Sequence, residues 1–156
     1  MAEMNHLNED GTVRMVDVGA KNETERRAVA VADVTMQSAT SDRLFSGDLP
    51  KGDALATVRI AAIQATKRTP DLIPLCHPLQ LTGVDVSIAR TESGAQISVE
   101  ARLMGRTGVE MEAMTGAAVG ALALYDMVKG IDRSALISSV RLLHKSGGKS
   151  GEWNRD

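Results

Sequence analysis

The chain carries a single cysteine, Cys76, in 156 residues, so no intrachain disulfide can form. Aromatic rings are scarce: one Trp, one Tyr and one Phe make up 2% of the sequence. That scarcity argues against stacking platforms for single-stranded nucleic acid and leaves the core to Val, Ile, Leu, Met and Ala. Neither charge sign dominates; a net charge of −2 provides no broad basic field for DNA or RNA. Long hydrophobic runs are missing too, and the most apolar stretch, about Ala113 to Tyr125, is too short to span a bilayer. The start of the chain is polar and acidic, unlike a signal peptide. What remains is the expectation of a cytoplasmic protein with no membrane or nucleic-acid partner. At 43% apolar residues, the chain has enough material for one domain with a real core.

Residues 1 to about 25 lack sustained periodicity and read as a flexible arm or extended lead-in. Arg26 to Gln37 alternates as a strand, and Thr40 to Lys51, with Gly47 and Pro50, reads as a loop. Gly52 to Arg68 reads as a helix with Asp53 as N-cap, a stop at Pro70 and a buried stripe of Leu55, Val58, Ala62 and Ile63. Pro70 to Pro78 holds three prolines and is expected to be irregular. Val84, Val86 and Ile88, then Ile97, Val99, Ala101 and Leu103, mark two strands joined at Ser93-Gly94. Gly108 to Gly130 is a second helix, and Ala135 to Leu143 a last strand. The order βαββαβ predicts an α+β, ferredoxin-like fold: an antiparallel sheet with both helices on one face.

The second helix is apolar almost all round. Met111, Met114, Ala118, Leu122 and Tyr125 form a stripe that Ala113, Ala117, Ala121, Leu124 and Val128 widen. Gly116 and Gly120 would admit another backbone, and a second subunit is the expected cover.

Chemistry-bearing residues fall into four groups. The tail Lys145-Ser146-Gly147-Gly148-Lys149-Ser150-Gly151 suits an oligophosphate, through pliable backbone, hydroxyls and positive charge. It is not a P-loop, because Leu143 stands where that pattern needs glycine. A solvated, frayed tail is the equal alternative. Leu75-Cys76-His77-Pro78 holds a histidine between prolines, where it can bind phosphate or move a proton. With no CxxC or HxxxH, a metal site is not expected. Glu110 and Glu112 begin the second helix, where its dipole favours acids. Asp126 lies fourteen residues beyond Glu112, on nearly the same side of the helix, with Lys129 one turn further on. Charges on so apolar a helix must pair or line a cavity, which makes their pKa values tunable. Lys51, Lys67, Arg68 and Arg26 read singly as surface charges.

Five segments occur together in order: Met15-Val16-Asp17-Val18, Leu72-Ile73-Pro74-Leu75-Cys76-His77-Pro78-Leu79, Gly108-Val109-Glu110-Met111-Glu112-Ala113, Tyr125-Asp126-Met127 with Lys129, and Lys145 to Gly151. In this arrangement, over about residues 12 to 152, the chain resembles the MoaC family, the cyclic pyranopterin monophosphate synthases of molybdenum-cofactor biosynthesis. Val128 stands where the family often has cysteine, which removes a thiol role there. Gly19 stands where serine is common.

The resemblance implies a flexible arm over residues 1–14 and one catalytic domain over residues 15–156. It implies a lyase acting on 3′,8-cyclo-7,8-dihydro-GTP, with cyclic pyranopterin monophosphate and diphosphate as products. No redox cofactor or resident metal is implied; Mg²⁺ could accompany the substrate phosphates. Lys51 and Lys129 would be the acid–base pair, with Asp126 tuning Lys129. Whether burial lowers that lysine's pKa or the carboxylate raises it stays open at this point. Arg26, Lys67, His77, Lys145 and Lys149 would hold phosphate. Glu110, Met111 and Glu112 would contact the heterocycle, and Leu75 and Cys76 would also bind the substrate. The assembly would be a homohexamer, a trimer of dimers, with sites between subunits. A nucleotide sensor without turnover and a purely structural oligomer are the competing readings.

Overall fold

The structure is a computed structural model that describes residues 6–156. Residues 1–5 of the expected N-terminal arm lie outside the described residues. The elements run β1 (Thr24–Thr35), α1 (Ser38–Ser46), α2 (Ala54–Lys67), α3 (Thr69–Leu72), β2 (Gly83–Thr91), β3 (Gly94–Gly105), α4 (Glu110–Val128), β4 (Leu136–Ser146) and β5 (Trp153–Asn154). The strands form one sheet in the order β2-β3-β1-β4-β5, antiparallel at every pairing. The α+β, ferredoxin-like expectation holds, with α2 and α4 packed against each other on one face.

Alternation explains the inner face. Ala28, Ala30, Ala32 and Val34 of β1 point the same way as Ile97, Val99, Ala101 and Leu103 of β3, and all are buried. Against them lie Ala113, Ala117, Ala121, Leu124 and Val128 of α4, likewise buried. Small side chains on both sides bring helix and sheet close together.

The apolar side chains of α4 divide between a buried and an uncovered side. The alanine side is the core face, whereas Met111 and Leu122 are exposed. Gly116 and Gly120 do admit a close neighbour, but it is α2 of the same chain. A Cβ at Gly116 would overlap Thr66 Oγ1, and one at Gly120 would sit 3.3 Å from the Ala62 Cβ. The glycines therefore carry no argument for a second subunit. Ile60, Leu72 and Leu122 are the large apolar side chains that the chain leaves uncovered on its helical layer, each more than half exposed.

Three elements depart from expectation. Thr40 to Lys51 is not all loop, since Ser38–Ser46 is helical. The first turn of α1 is capped from far away: Gln37 N donates to Asp132 Oδ2 at 2.9 Å and Thr40 Oγ1 to the same oxygen at 3.1 Å. Gly47 ends α1 in the left-handed region at φ 77°. Pro70 sits in the first turn of the short α3, where its missing N–H is not needed, and the rest of its proline-rich segment, residues 73–78, is irregular as expected. Past the glycine-rich tail the chain turns back, and Trp153–Asn154 pairs with Lys145 and His144 of β4. Asp53 caps α2 as expected, accepting from Ala56 N at 2.9 Å. Of the stripe named for α2, Val58 and Ala62 are buried, while Leu55 and Ile63 are half-buried. Among the described residues, no helix is long and apolar enough to cross a membrane.

Candidate active site

Two cavities meet at the N-terminal end of α4. The larger, about 830 Å³, is walled by Lys21, Arg26, Arg106, Lys145, Lys149 and the glycine-rich tail. The smaller, about 400 Å³, is walled by Leu75, Cys76, His77, Met111 and Glu112. Thr107, Gly108 and Glu110 line both, so the two adjoin.

The tail is ordered by β5 rather than frayed. Gly147, Gly148 and Gly151 all have positive φ, at 101°, 71° and 66°, a region open to glycine at little cost. A Cβ at Gly147 would overlap the carbonyl oxygen of Glu25, and one at Gly148 would overlap the guanidinium of Arg26. The tail thus lies directly on β1 and against Arg26, which is only 9% exposed and donates from Nε to Gly105 O at 3.2 Å. Lys145 Nζ reaches Ser150 Oγ and lies 3.5 Å from Glu110 Oε1. Thr24, in the same wall, has a buried Oγ1 without a hydrogen-bond partner among the described residues. Cations, this hydroxyl and pliable backbone make a wall whose chemistry suits a polyanion. Lys67, placed in this group by resemblance, is exposed and lines neither cavity.

The smaller cavity has a different chemistry. Glu112 is 3% exposed, and burial, with Glu110 close by, raises its carboxyl to about 7. Burial also raises the Cys76 thiol, with Glu112 adding to the effect. His77 Nε2 is held 2.8 Å from Val16 O, so this ring nitrogen ties residues 15–18 to the proline-rich loop. Among the described residues, no three His, Cys, Asp or Glu side chains gather as a metal ion would require.

Glu112 makes stability depend on pH. Its unfolded carboxyl releases a proton near 4.5, its folded one near 7. Between these values the folded state binds more protons, so stability falls as pH rises, by about 1.4 kcal/mol per unit of displacement. Glu112→Gln is expected to abolish this slope between pH 4.5 and 7. Thermal unfolding across that range checks it, and parallel profiles for the two proteins would contradict it.

At the other end of α4, Lys51, Asp126 and Lys129 meet within one chain. Lys51 Nζ lies 2.8 Å from Asp126 Oδ2 and 2.7 Å from its carbonyl oxygen; Lys129 Nζ lies 2.8 Å from Asp126 Oδ1. Hydrogen bonds from Lys129 and then Lys51 hold the Asp126 carboxyl down at about 2, and the same bond raises Lys129. The balance left open by the sequence thus falls to the carboxylate. Asp126 is not a buried charge: its side chain is 55% exposed. Although near Glu112 on the helical wheel, it lies on the open end of α4, while the 73–79 loop covers the other end.

Lys21, Asn22, Thr24, Arg106 and Thr107 join the cationic cavity without having been singled out in the sequence. Thr24 opens β1 and the others are isolated polar residues in turns or the lead-in, and no spacing rule marks them. The local sign of this cavity was the tail, with its glycines, lysines and serines.

The sequence is similar to those of known proteins. The chain is 57% identical over 154 residues to a cyclic pyranopterin monophosphate synthase of Roseiflexus castenholzii, covering 97% of this chain and 98% of that one. It is 50% identical to the protein of that name from Pelotomaculum thermopropionicum, over 99% of this chain and 92% of that one. It is 49% identical to that of Corynebacterium efficiens, over 99% of each. The sequence model of the MoaC family matches residues 15–148. With nearly the whole chain matched by both measures, the protein belongs to the MoaC family.

Proposed function

We propose that the protein converts 3′,8-cyclo-7,8-dihydro-GTP into cyclic pyranopterin monophosphate and diphosphate, as a cytoplasmic lyase of molybdenum-cofactor biosynthesis. The observation that carries this reading is the pair of adjoining cavities, one cationic and one lined by a buried carboxyl and a thiol. A triphosphate fits the first and a guanine-derived ring the second. Carboxyl oxygens of Glu110 and Glu112 accept the N–H donors of such a ring. Near neutral pH Glu112 is held in both protonation states, so it also matches a ring edge that changes from donor to acceptor as the purine opens.

The acid–base work falls to Lys51 and Lys129. Ring opening, reclosure and formation of the cyclic phosphate each move protons. The hydroxyl that attacks the phosphorus next to the ribose must lose its proton as diphosphate departs. Lysines serve this need when one is charged and the other neutral. Asp126 raises Lys129 and so keeps that ammonium group charged in the open protomer, and desolvation is what lowers a lysine.

One protomer cannot present both halves to one substrate. From Glu110 to Asp126 the helix rises by about 24 Å. The tail cations lie near the Glu110 end, whereas the lysines flank Asp126. A nucleotide that touches both must lie between two copies, with one supplying the phosphate cavity and the other the lysine cluster. A homohexamer, a trimer of dimers with sites between subunits, meets this requirement and desolvates the lysines. The exposed Ile60, Leu72 and Leu122 are apolar surface for such contacts.

No redox cofactor is needed, because the rearrangement leaves the overall oxidation level unchanged. Mg²⁺ would enter with the phosphates. Glu110, in the cationic cavity, is already paired with Lys145. The test is turnover of purified protein with the cyclic GTP intermediate, following diphosphate release. Stoichiometric formation of both products is expected. Reversible binding without product at saturating substrate would contradict the reading.

A further inference from the structure

Residues 6–14 were expected to be a featureless arm, yet they fold into a small hairpin. Leu7 bridges Val13, Asn8 N donates to Thr12 O at 2.9 Å, and Arg14 N to His6 O at 2.9 Å. The Asp10 carboxylate closes the turn by accepting from Thr12 N and Oγ1 at 3.0 and 2.6 Å. At its base the chain is pinned by the His77–Val16 contact of 2.8 Å. The first described residue of the hairpin, His6, lines the smaller cavity with Cys76, His77 and Glu112.

We propose that this hairpin is a lid on the smaller cavity and that His6 is a further substrate-contacting residue, hydrogen-bonding the heterocycle through its imidazole. The proposal rests on the ring occupying that cavity, as argued above. His6 Nδ1 lies 3.4 Å from Arg14 O, within the hairpin, and among the described residues Nε2 has no hydrogen-bond partner. Nε2 is therefore the ring nitrogen left for a ligand. A single-bridge hairpin has little stability of its own, so opening costs little and a ligand can shift it. Val13 and Met15 are 65% and 47% exposed, as expected of a flap that rests on the body at few points. The anchor at Val16 limits its swing to the mouth of the cavity. Closure would shield the ring from water, while the phosphate cavity is walled without the hairpin.

The two cavities make the proposal separable by ligand. Binding of GTP and of inorganic triphosphate to the full chain is measured by calorimetry for wild type, His6→Ala and His6→Gln. His6→Ala is expected to weaken GTP about tenfold and leave triphosphate unchanged. His6→Gln, which keeps an N–H donor, is expected to recover most of the loss. GTP, but not triphosphate, is expected to slow hydrogen exchange at the Asn8 and Arg14 amides. Equal affinity of wild type and His6→Ala for GTP, equal weakening of both ligands, or unchanged exchange with GTP would each overturn the proposal. Turnover by the wild type reports separately on the reaction, so a failure there is distinguishable from a failure of the lid.

Discussion

Lys51→Ala or Lys129→Ala is expected to lower turnover by about 10²–10⁴-fold, the range typical of losing a general acid or base. The fold should survive. Both lysine side chains are 42–49% exposed, and exposed ion pairs contribute about 0–1 kcal/mol. A large kinetic defect with an unchanged unfolding midpoint would therefore report chemistry. The loss should appear in kcat more than in KM, because neither lysine is in the phosphate cavity of its own chain. Asp126→Asn adds a pH signature. The Asp126 carboxyl, near 2, stays ionised throughout the working range and raises Lys129. Without that negative charge Lys129 loses its proton at lower pH, and the pH–rate profile is expected to shift downward. Near-normal turnover in both alanine variants would eliminate the pair.

Gly148→Ala is expected to raise KM by about 10–100-fold through Arg26 rather than through the loop alone. Two penalties arise together: φ of 71° is poorly tolerated by alanine, and the new Cβ overlaps the guanidinium. Arg26 is nearly buried and held at Gly105, so it can yield only toward the space meant for phosphate. Arg26→Ala should give a defect of similar size, and the double variant should fall well short of the product of the two, since residues in contact do not act additively. Inorganic triphosphate affinity for the four proteins measures this directly. Strictly multiplicative effects would show that Gly148 acts independently of Arg26.

The main strands and the two long helices were legible because their side chains repeat with the period of the element that buries them. Ile97, Val99, Ala101 and Leu103 could hardly be anything but a strand. Where stability comes from a distant partner, local pattern fails. Helix α1 owes its first turn to Asp132, and β5 exists only because β4 offers it an edge. The partner of Gly116 and Gly120 was misread for a related reason: they look open to a second subunit until α2 of the same chain packs against them.

The site divides in the same way. The ordered motifs held Asp126, Lys129, Glu110, Glu112 and the tail, and the family resemblance added Lys51; the structure brings Lys51, Asp126 and Lys129 into one cluster and the others to two adjoining cavities. The sequence already put Glu110 and Glu112 at the start of one helix and Asp126 and Lys129 near its end, but it could not show that Lys51 joins the second group and the tail the first. Nor could it separate a buried Glu112 from an exposed Asp126, because that contrast depends on where the 73–79 loop folds. Lone cations such as Lys21 and Arg106 carry no signal until the chain closes around them.

Complementation between subunits tests most directly whether neighbouring copies build one reaction site. Lys51→Ala and Lys145→Ala proteins, each inactive alone, would be unfolded, mixed in equal amounts and refolded together. If one copy supplies the lysine cluster and another the phosphate cavity, roughly a quarter of the sites regain both intact parts and that share of turnover returns. Mixed assemblies as inactive as either parent would place both lysines in a site of one chain and contradict the account.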